Sequence, residues 1–224
     1  MGSKESFIPA LGYQSLNALY DLTISRTMPE RKLRVRLADQ VNLLPGERLL
    51  DFGCGTASQT ILQMQRSPDA SVTGVDVDPQ ILALASRKAH EAGLHLRLDQ
   101  YDGRTLPYPD ASFDKVVSSL VFHQLNAERK GLALREIYRV LVPGGELHLG
   151  DWGWARSRLL RFAFLAVQIL DGFESTRDNV AGLLPWHIAD AGFIEVVETG
   201  FINCALGTFA FYRARKPSAK TDPA

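Results

Sequence analysis

The chain has 224 residues, 46% of them hydrophobic, with 25 Lys and Arg set against 25 Asp and Glu. That length and apolar fraction suit one large domain, or one core domain with terminal additions. A formal net charge of zero argues against a chain whose main task is binding nucleic acid or an anionic membrane, although a local basic patch can survive the cancellation. Two cysteines, Cys54 and Cys204, are too few for a metal site. They read as two reduced thiols, although sequence does not exclude a bridge between them. Met1 to Pro9 is short, polar and mixed in charge, unlike a secretory signal, and the apolar stretch Leu159 to Leu170 is too short to span a bilayer. The expectation is a soluble cytoplasmic protein without a metal.

Taken in order, strand and helix patterns alternate, which predicts a mostly parallel sheet with helices on both faces. Residues 13–24 predict a helix. A second follows, capped by Thr27 with Pro29 in its first turn, and Leu33, Leu37, Val41 and Leu44 recur on one face before Pro45-Gly46 ends it. Residues 1–44 are expected to form a helical cap. Arg48 to Phe52 is the first predicted strand, and a helix from about Ala57 to Arg66 follows a glycine turn. Ser71 to Val77 is the second strand. Asp78-Pro79 opens a helix that Gly93 closes. Alternating Leu94, Leu96 and Leu98 predict the third strand, and Phe113 to Leu120 the fourth. A helix over Asn126 to Leu141 leads through Pro143-Gly144-Gly145 into a fifth strand, Glu146 to Asp151. Beyond it the spacing predicts an apolar helix over 155–170 and shorter helices over 176–191, a helical insertion at about 152–191. Two closing strands, Phe193–Phe201 and Cys204–Arg213, are joined by Ile202-Asn203 and pair antiparallel. The last is expected beside the fifth, as the one antiparallel strand of seven. The domain is expected to span 45–215, and the tail from Lys216, rich in Pro, Ser and Lys, to be disordered.

The chemistry concentrates in Leu49-Leu50-Asp51-Phe52-Gly53-Cys54-Gly55-Thr56-Ala57. An apolar strand running into Gly-x-Gly ahead of a helix brings backbone close to a ligand. Asp76 lies 21 residues after Gly55, at the end of the second strand, where a carboxylate can accept both hydroxyls of a ribose. A nicotinamide dinucleotide enzyme has a similar layout. Two details disfavour it. Ser58 stands where the dinucleotide fingerprint has its third glycine, and Asp51 puts negative charge where a pyrophosphate would sit. That acid suits a cationic ligand. S-adenosylmethionine carries an ammonium and a sulfonium and no phosphate.

Leu50-Asp51-Phe52-Gly53-Cys54-Gly55-Thr56 resembles the first motif of the class I S-adenosylmethionine-dependent methyltransferases, and Gly74-Val75-Asp76-Val77-Asp78 their second. Asp102-Gly103, then Leu106-Pro107-Tyr108-Pro109-Asp110 and Ser112-Phe113-Asp114, resemble the third and fourth. Leu134 to Gly145 resembles the helix and turn that follow. The likeness covers roughly residues 48–152 and is greatest to the small-molecule group containing the ubiquinone and menaquinone C-methyltransferases, which Tyr20-Asp21 also echoes. It implies a Rossmann-like α/β fold with a seven-stranded, mostly parallel sheet and an antiparallel last strand. It also implies S-adenosylmethionine as cofactor and S-adenosylhomocysteine as product. By resemblance, Gly53 and Gly55 lay backbone against the methionine part, and Asp51 orders the loop and favours the ammonium. Asp76 binds the ribose, Val77 packs on the adenine, and Asp102 accepts from the adenine amino group with Gly103 beside it. Ser119 lies near the transferred methyl; a plain strand-end serine fits that position equally well. Ala57 departs from the family, which usually has glycine there, and predicts a slightly tighter loop.

The acceptor side is less constrained, because in-line transfer from an activated sulfonium chiefly needs alignment and exclusion of water. His123, just past the fourth strand, and Asp151, ending the fifth, are the candidate catalytic residues. Each also has a plain structural reading, as a backbone-bonded loop histidine and a capping carboxylate. Trp152 and Trp154 suit either a pocket wall or the core, and His187, after Trp186 in a helical segment, reads as a structural histidine. The apolar helix 155–170, with Arg156, Arg158 and Arg161 at its start, reads as a buried helix, as a lid over a hydrophobic substrate, or as a peripheral membrane contact. The expected acceptor is a small, lipophilic or aromatic molecule rather than a nucleic acid. The rivals are a catalytically silent S-adenosylmethionine-binding regulatory protein and a nicotinamide-dependent oxidoreductase.

Overall fold

A computed structural model describes residues 29–218. The expected helix at 13–24, the Thr27 cap and the Tyr20-Asp21 pair lie outside the described residues. Helix α1 (Glu30–Val41) precedes β1 (Arg48–Phe52), α2 (Ser58–Arg66), β2 (Ser71–Asp76), α3 (Pro79–Glu91), β3 (Arg97–Gln100) and β4 (Phe113–Ser119). A short 3-10 turn at Phe122–Gln124 leads into α4 (Ala127–Val140) and β5 (Leu141–Trp152). Four short helices follow, α5 (Arg158–Ala163), α6 (Leu165–Asp171), α7 (Phe173–Val180) and α8 (Leu184–Asp190), before β6 (Ile194–Cys204) and β7 (Gly207–Arg215).

The seven strands form one sheet in the order β3-β2-β1-β4-β5-β7-β6. β1 through β5 pair in parallel, and β7 runs antiparallel between β5 and β6. This is the expected topology, with the last strand beside the fifth. Its register sets Trp152 opposite Phe209 and Asp151 opposite Ala210. Right-handed crossovers from a parallel strand require intervening helices, so both sheet faces are covered. Leu49 and Leu50 show the division: successive side chains point to opposite faces. Leu50 joins Val116, Leu147 and Leu149 under α4 and α8, through Leu134, Ile137, Leu184 and Ile188. Leu49 joins Val117, Phe209 and Phe211 under α1, through Leu33, Leu37 and Val41. Residues 29–44 of the expected cap are thus partly a core layer. Their helix stops at Asn42 in the left-handed region, where Lys115 Nζ donates to the carbonyls of Val41 and Asn42 at 3.0 Å.

Several boundaries differ from expectation. Leu94 and Leu96 precede β3 and pack against the Ala57–Ile61–Ala85–Ala89 cluster instead of extending the strand. The single helix expected over 155–170 divides at Phe164, which is buried edge-on against Trp152 at 5.4 Å between ring centroids. The closing hairpin turns after Cys204 rather than at Ile202-Asn203, whose backbone is part of β6. Lys216, the first residue of the expected disordered tail, is anchored. Its Nζ donates to the carbonyls of Tyr138 and Leu141, each at 2.7 Å. Both cysteines are buried free thiols.

Candidate active site at the carboxyl edge of the sheet

β1 delivers Asp51 to the interior and then turns through Gly53, whose φ is +67°. A Cβ there would lie 2.4 Å from Val121 Cγ2, so glycine is required both by conformation and by space. Gly55 also has a positive φ, but a Cβ on it would meet no atom within 4 Å: its outer face is open. Its N–H donates to Asp76 Oδ2 at 2.9 Å, and the other Asp76 oxygen accepts from Asp78 N at 3.1 Å. The ends of β1 and β2 are thereby locked together at a carboxylate. Asp78 then caps α3, accepting from Gln80 N.

Asp51 is 1% exposed and accepts from Thr60 Oγ1 of α2 at 2.6 Å. Burial raises its carboxyl to about 6. The Thr60 hydrogen bond works against that rise and the nearby charge of Asp76 adds to it. Cys54, wedged between these two acids, has its thiol pushed up first by burial and then by both carboxylates, so it is inert as a nucleophile. The turn is therefore an electronegative cradle with an open backbone face, suited to a cation.

Val77 follows Asp76 half-buried, 3.6 Å from where a Cβ on Gly103 would stand. Asp102 is exposed. One of its oxygens accepts from Arg104 N and Thr105 N, both at 2.8 Å, and these bonds hold its carboxyl below the usual range. The structure thus brings Asp51, Gly53, Gly55, Asp76, Val77, Asp102 and Gly103 to one edge. Ser119 ends β4 opposite Gly150 and lines a shallow cleft with Glu30, Arg34, Leu120 and Phe209. Leu120 next to it has φ +60°, an uncommon conformation for leucine.

His123 and Asp151 are brought into contact. His123 is 4% exposed, and its Nδ1 donates to Asp151 Oδ1 at 2.8 Å. Asp151 also accepts from the backbone N–H groups of Phe122 at 2.7 Å, His123 at 3.3 Å and Trp152 at 2.6 Å. It caps no α-helix, but its Oδ2 holds the first two N–H groups of the 3-10 turn at Phe122–Gln124. Burial alone would lower the basicity of His123, but the facing carboxylates of Asp151 and Asp171 outweigh it and the ring's pKa is raised. Its Nε2 stands 3.6 Å from Asp171 Oδ2.

Sequence reasoning missed Asp171, Lys130 and Asp178. The side chain of Lys130, on α4, is completely buried, and its Nζ donates to the carbonyls of Leu125 at 2.6 Å and Ser175 at 2.7 Å, with Asp178 at 3.5 Å. Asp178 in turn meets His187 Nε2 at 3.0 Å, so that histidine is structural. These links tie the helical insertion to the turn that carries His123. The available signal was a lysine on the same helical stretch as the buried Leu134 and Ile137, which needs an acidic or carbonyl partner. Among the described residues no group of three His, Cys, Asp or Glu could hold a metal ion.

The doubly wound sheet with an inserted antiparallel last strand, and an acid–Gly–x–Gly turn opposite Asp76, define the class I methyltransferase architecture. The chain belongs to the class I S-adenosylmethionine-dependent methyltransferase family. A methyltransferase domain matches residues 49–145. A demethylmenaquinone methyltransferase of Symbiobacterium thermophilum is 33% identical over 203 residues, covering 79% of each chain. The demethylmenaquinone methyltransferase of Thermus thermophilus is 42% identical over 101 residues, 45% of each chain. The 27-O-demethylrifamycin SV methyltransferase of Amycolatopsis mediterranei is 37% identical over 132 residues, covering 57% of this chain and 47% of that one. In such matches the chain spans about half the length of its curated relatives. In fold, a methyltransferase structure from Methanosarcina mazei aligns with a TM-score of 0.66 at 20% identity, over 79% of this chain and 95% of that one.

Proposed function

We propose that the protein transfers a methyl group from S-adenosylmethionine to a small, lipophilic or aromatic acceptor. The observation that carries this reading is the electronegative cradle: Asp51 and Asp76 converge on a glycine turn whose outer face is open. Two carboxylates so close, one of them buried, are relieved by a cation and aggravated by a phosphate. The relatives named for quinone and rifamycin acceptors support a small-molecule substrate.

When bound, S-adenosylmethionine supplies an activated methyl group. The chain's own residues then have separate tasks. Asp51 offers its charge to the ammonium and holds α2 through Thr60. Asp76, positioned by Gly55 N and Asp78 N, accepts from ribose hydroxyls. Val77 and Asp102, with Gly103, take the adenine. Ser119 and the turn after it face the acceptor side. His123, oriented by Asp151, is the residue that would take a proton from an acidic acceptor hydroxyl or carbon, and Asp151 is its positioning residue. A facing carboxylate strengthens the imidazole as a base, and it must first be deprotonated. The insertion would exclude water over an apolar acceptor.

Calorimetric titration with S-adenosylhomocysteine, with NAD as competitor, tests the cofactor reading: binding of micromolar order unaffected by NAD is expected, and no binding ends it. For the acceptor side, turnover with a demethylmenaquinone-type naphthoquinol should rise with pH through an apparent pKa above the ordinary histidine value. His123→Ala should remove that rise and slow turnover by roughly 10²–10⁴-fold. A His123→Ala variant of full activity would leave alignment alone as the source of rate.

A further inference from the structure

The insertion carries a feature the cofactor site does not use. Leu159 and Phe162 on α5 are 76% and 72% exposed, and Ile169 and Leu170 on α6 are 70% and 50% exposed. Leu159 and Phe162, three residues apart, share one side of α5, and Ile169 and Leu170 are adjacent near the end of α6, while Phe164 and Val167 between the two pairs are buried. Trp154 before α5 and Phe173 after α6 are also more than half exposed. A soluble surface normally scatters such side chains singly; a concentration of them marks an interaction surface.

Charge identifies the partner. From Trp152 to Arg177 there are four arginines, Arg156, Arg158, Arg161 and Arg177, against two acidic residues, Asp171 and Glu174, and one guanidinium nitrogen of Arg161 is buried. Arg156 is paired with Glu198 and lies over the ring of Phe201. Arg158 is exposed and has no ion-pair partner among the described residues, and neither has Arg177 on α7. Arginines bordering exposed Leu, Phe and Ile, with a tryptophan at the edge, form the pattern of a helix lying in a lipid interface: apolar side chains enter the acyl boundary, guanidinium groups meet phosphates, and indole sits between. The helices are too short to do more, and among the described residues no helix is long and apolar enough to cross a membrane.

We propose that α5 and α6 form a peripheral docking face for an anionic lipid surface. The face begins directly after β5, at the same sheet edge as His123 and Ser119. A lipophilic molecule held in such a surface is therefore presented to that edge. The docking itself stands independently of the methyl-transfer reading.

The test is flotation of the full chain with vesicles of phosphatidylcholine, with and without phosphatidylglycerol, at low and high salt. The protein is expected to float with the anionic vesicles at low salt and to be released by high salt. Leu159→Asp with Phe162→Asp should reduce partition by about tenfold or more. Arg158→Gln should weaken only the phosphatidylglycerol-dependent part. Both apolar positions are largely exposed, so circular dichroism and the thermal midpoint of the double variant should match the parent. Absence of flotation overturns the proposal, as does a double variant that floats like the parent. If sedimentation instead shows a dimer that the double variant converts to a monomer, the face belongs to a second copy and the proposal fails.

Discussion

The turn at 51–58 and the insertion at 153–191 meet at the same edge of the sheet, but they satisfy their polar groups in different ways. Around the turn and the neighbouring strand ends, carboxylates accept from backbone N–H groups a few residues away or on the adjacent strand: Asp76 from Gly55 and Asp78, and Asp102 from Arg104 and Thr105. These bonds hold a shape that exists before any ligand arrives. The insertion is held by charged side chains from far along the chain: Lys130 bonds to Ser175 O and faces Asp178, and His123 faces Asp171 at 3.6 Å. A local carboxylate–backbone motif survives most changes elsewhere. A buried ion held by distant carbonyls makes the whole segment depend on one side chain.

Breaking that dependence should give the largest effect. Lys130→Ala leaves Asp178 and two carbonyls without their buried cation, and removal of one partner from such a cluster typically costs about 3–5 kcal/mol. Denaturant unfolding should report a loss of that size, while S-adenosylhomocysteine affinity, measured well below the denaturing range, stays within about twofold. A comparable loss of affinity would mean that the two regions are coupled.

Asp76→Ala probes the other side. It should weaken S-adenosylhomocysteine binding by about 1–3 kcal/mol, the worth of charge-assisted bonds to a ribose, with a smaller loss of stability from the freed Gly55 N–H. Unchanged affinity in calorimetry would remove Asp76 from the site.

The same contrast explains what the sequence made legible. Most elements of the sheet carry their own signal: an apolar run and a Gly-x-Gly in and after β1, Asp78-Pro79 before α3. Sequence order then fixes which strand pairs with which, because parallel crossovers allow few arrangements. The cofactor residues are legible for the same reason, since each lies at a strand end and is held by its neighbours. His123 and Asp151 could be nominated but not joined, because 28 residues separate them and only the β4–β5 register makes them adjacent. Lys130 carried a weak signal, its spacing to Leu134 and Ile137, but Asp171 and Asp178 were out of reach. The fold of the insertion supplies the acidic and carbonyl partners that Lys130 needs on that buried face. The split of helix 155–170 has a similar origin: Phe164 is an ordinary apolar residue until Trp152 supplies the surface it packs on.

The charge of the cradle gives a pH signature. The carboxyl of Asp51 is raised to about 6 in the free protein, so above that pH it is ionised and available to a cation. Below it, binding must first displace a proton, and affinity for S-adenosylhomocysteine should fall by up to about tenfold per pH unit. The sign for stability is opposite. A raised carboxyl means that the folded state holds more protons than the unfolded one between the ordinary carboxylate range and about pH 6. The stabilisation from this group is therefore present at low pH and lost as pH rises through that window. Calorimetry across pH 5 to 8 with Asp51→Asn as control checks it. The variant's profile should be flatter, and a parent profile equally flat would show that no proton on Asp51 competes with the ligand.

The smallest effect is expected at Ala57, where the chain departs from the family's usual glycine. Its φ of +60° places it in the left-handed region, and it is the residue from which α2 starts. An alanine in that region costs about 1–2 kcal/mol, which glycine would relieve. Two terms oppose the relief. The methyl group is fully buried against Ile61, Ala85 and Ala89, and its burial contributes about 0.8 kcal/mol. Glycine also frees the unfolded chain, at about 0.5–1 kcal/mol. The sum is close to zero, so Ala57→Gly should change unfolding free energy by less than about 1 kcal/mol. Affinity should also be unchanged, because the open backbone face belongs to Gly55, two residues earlier. Thermal unfolding and calorimetry on one variant suffice. A stabilisation well above 1 kcal/mol would show that the methyl group packs poorly and that the alanine is a strained substitute. A matching destabilisation would show that the buried cluster has come to depend on it, and that the departure from glycine strengthens the base of the cradle.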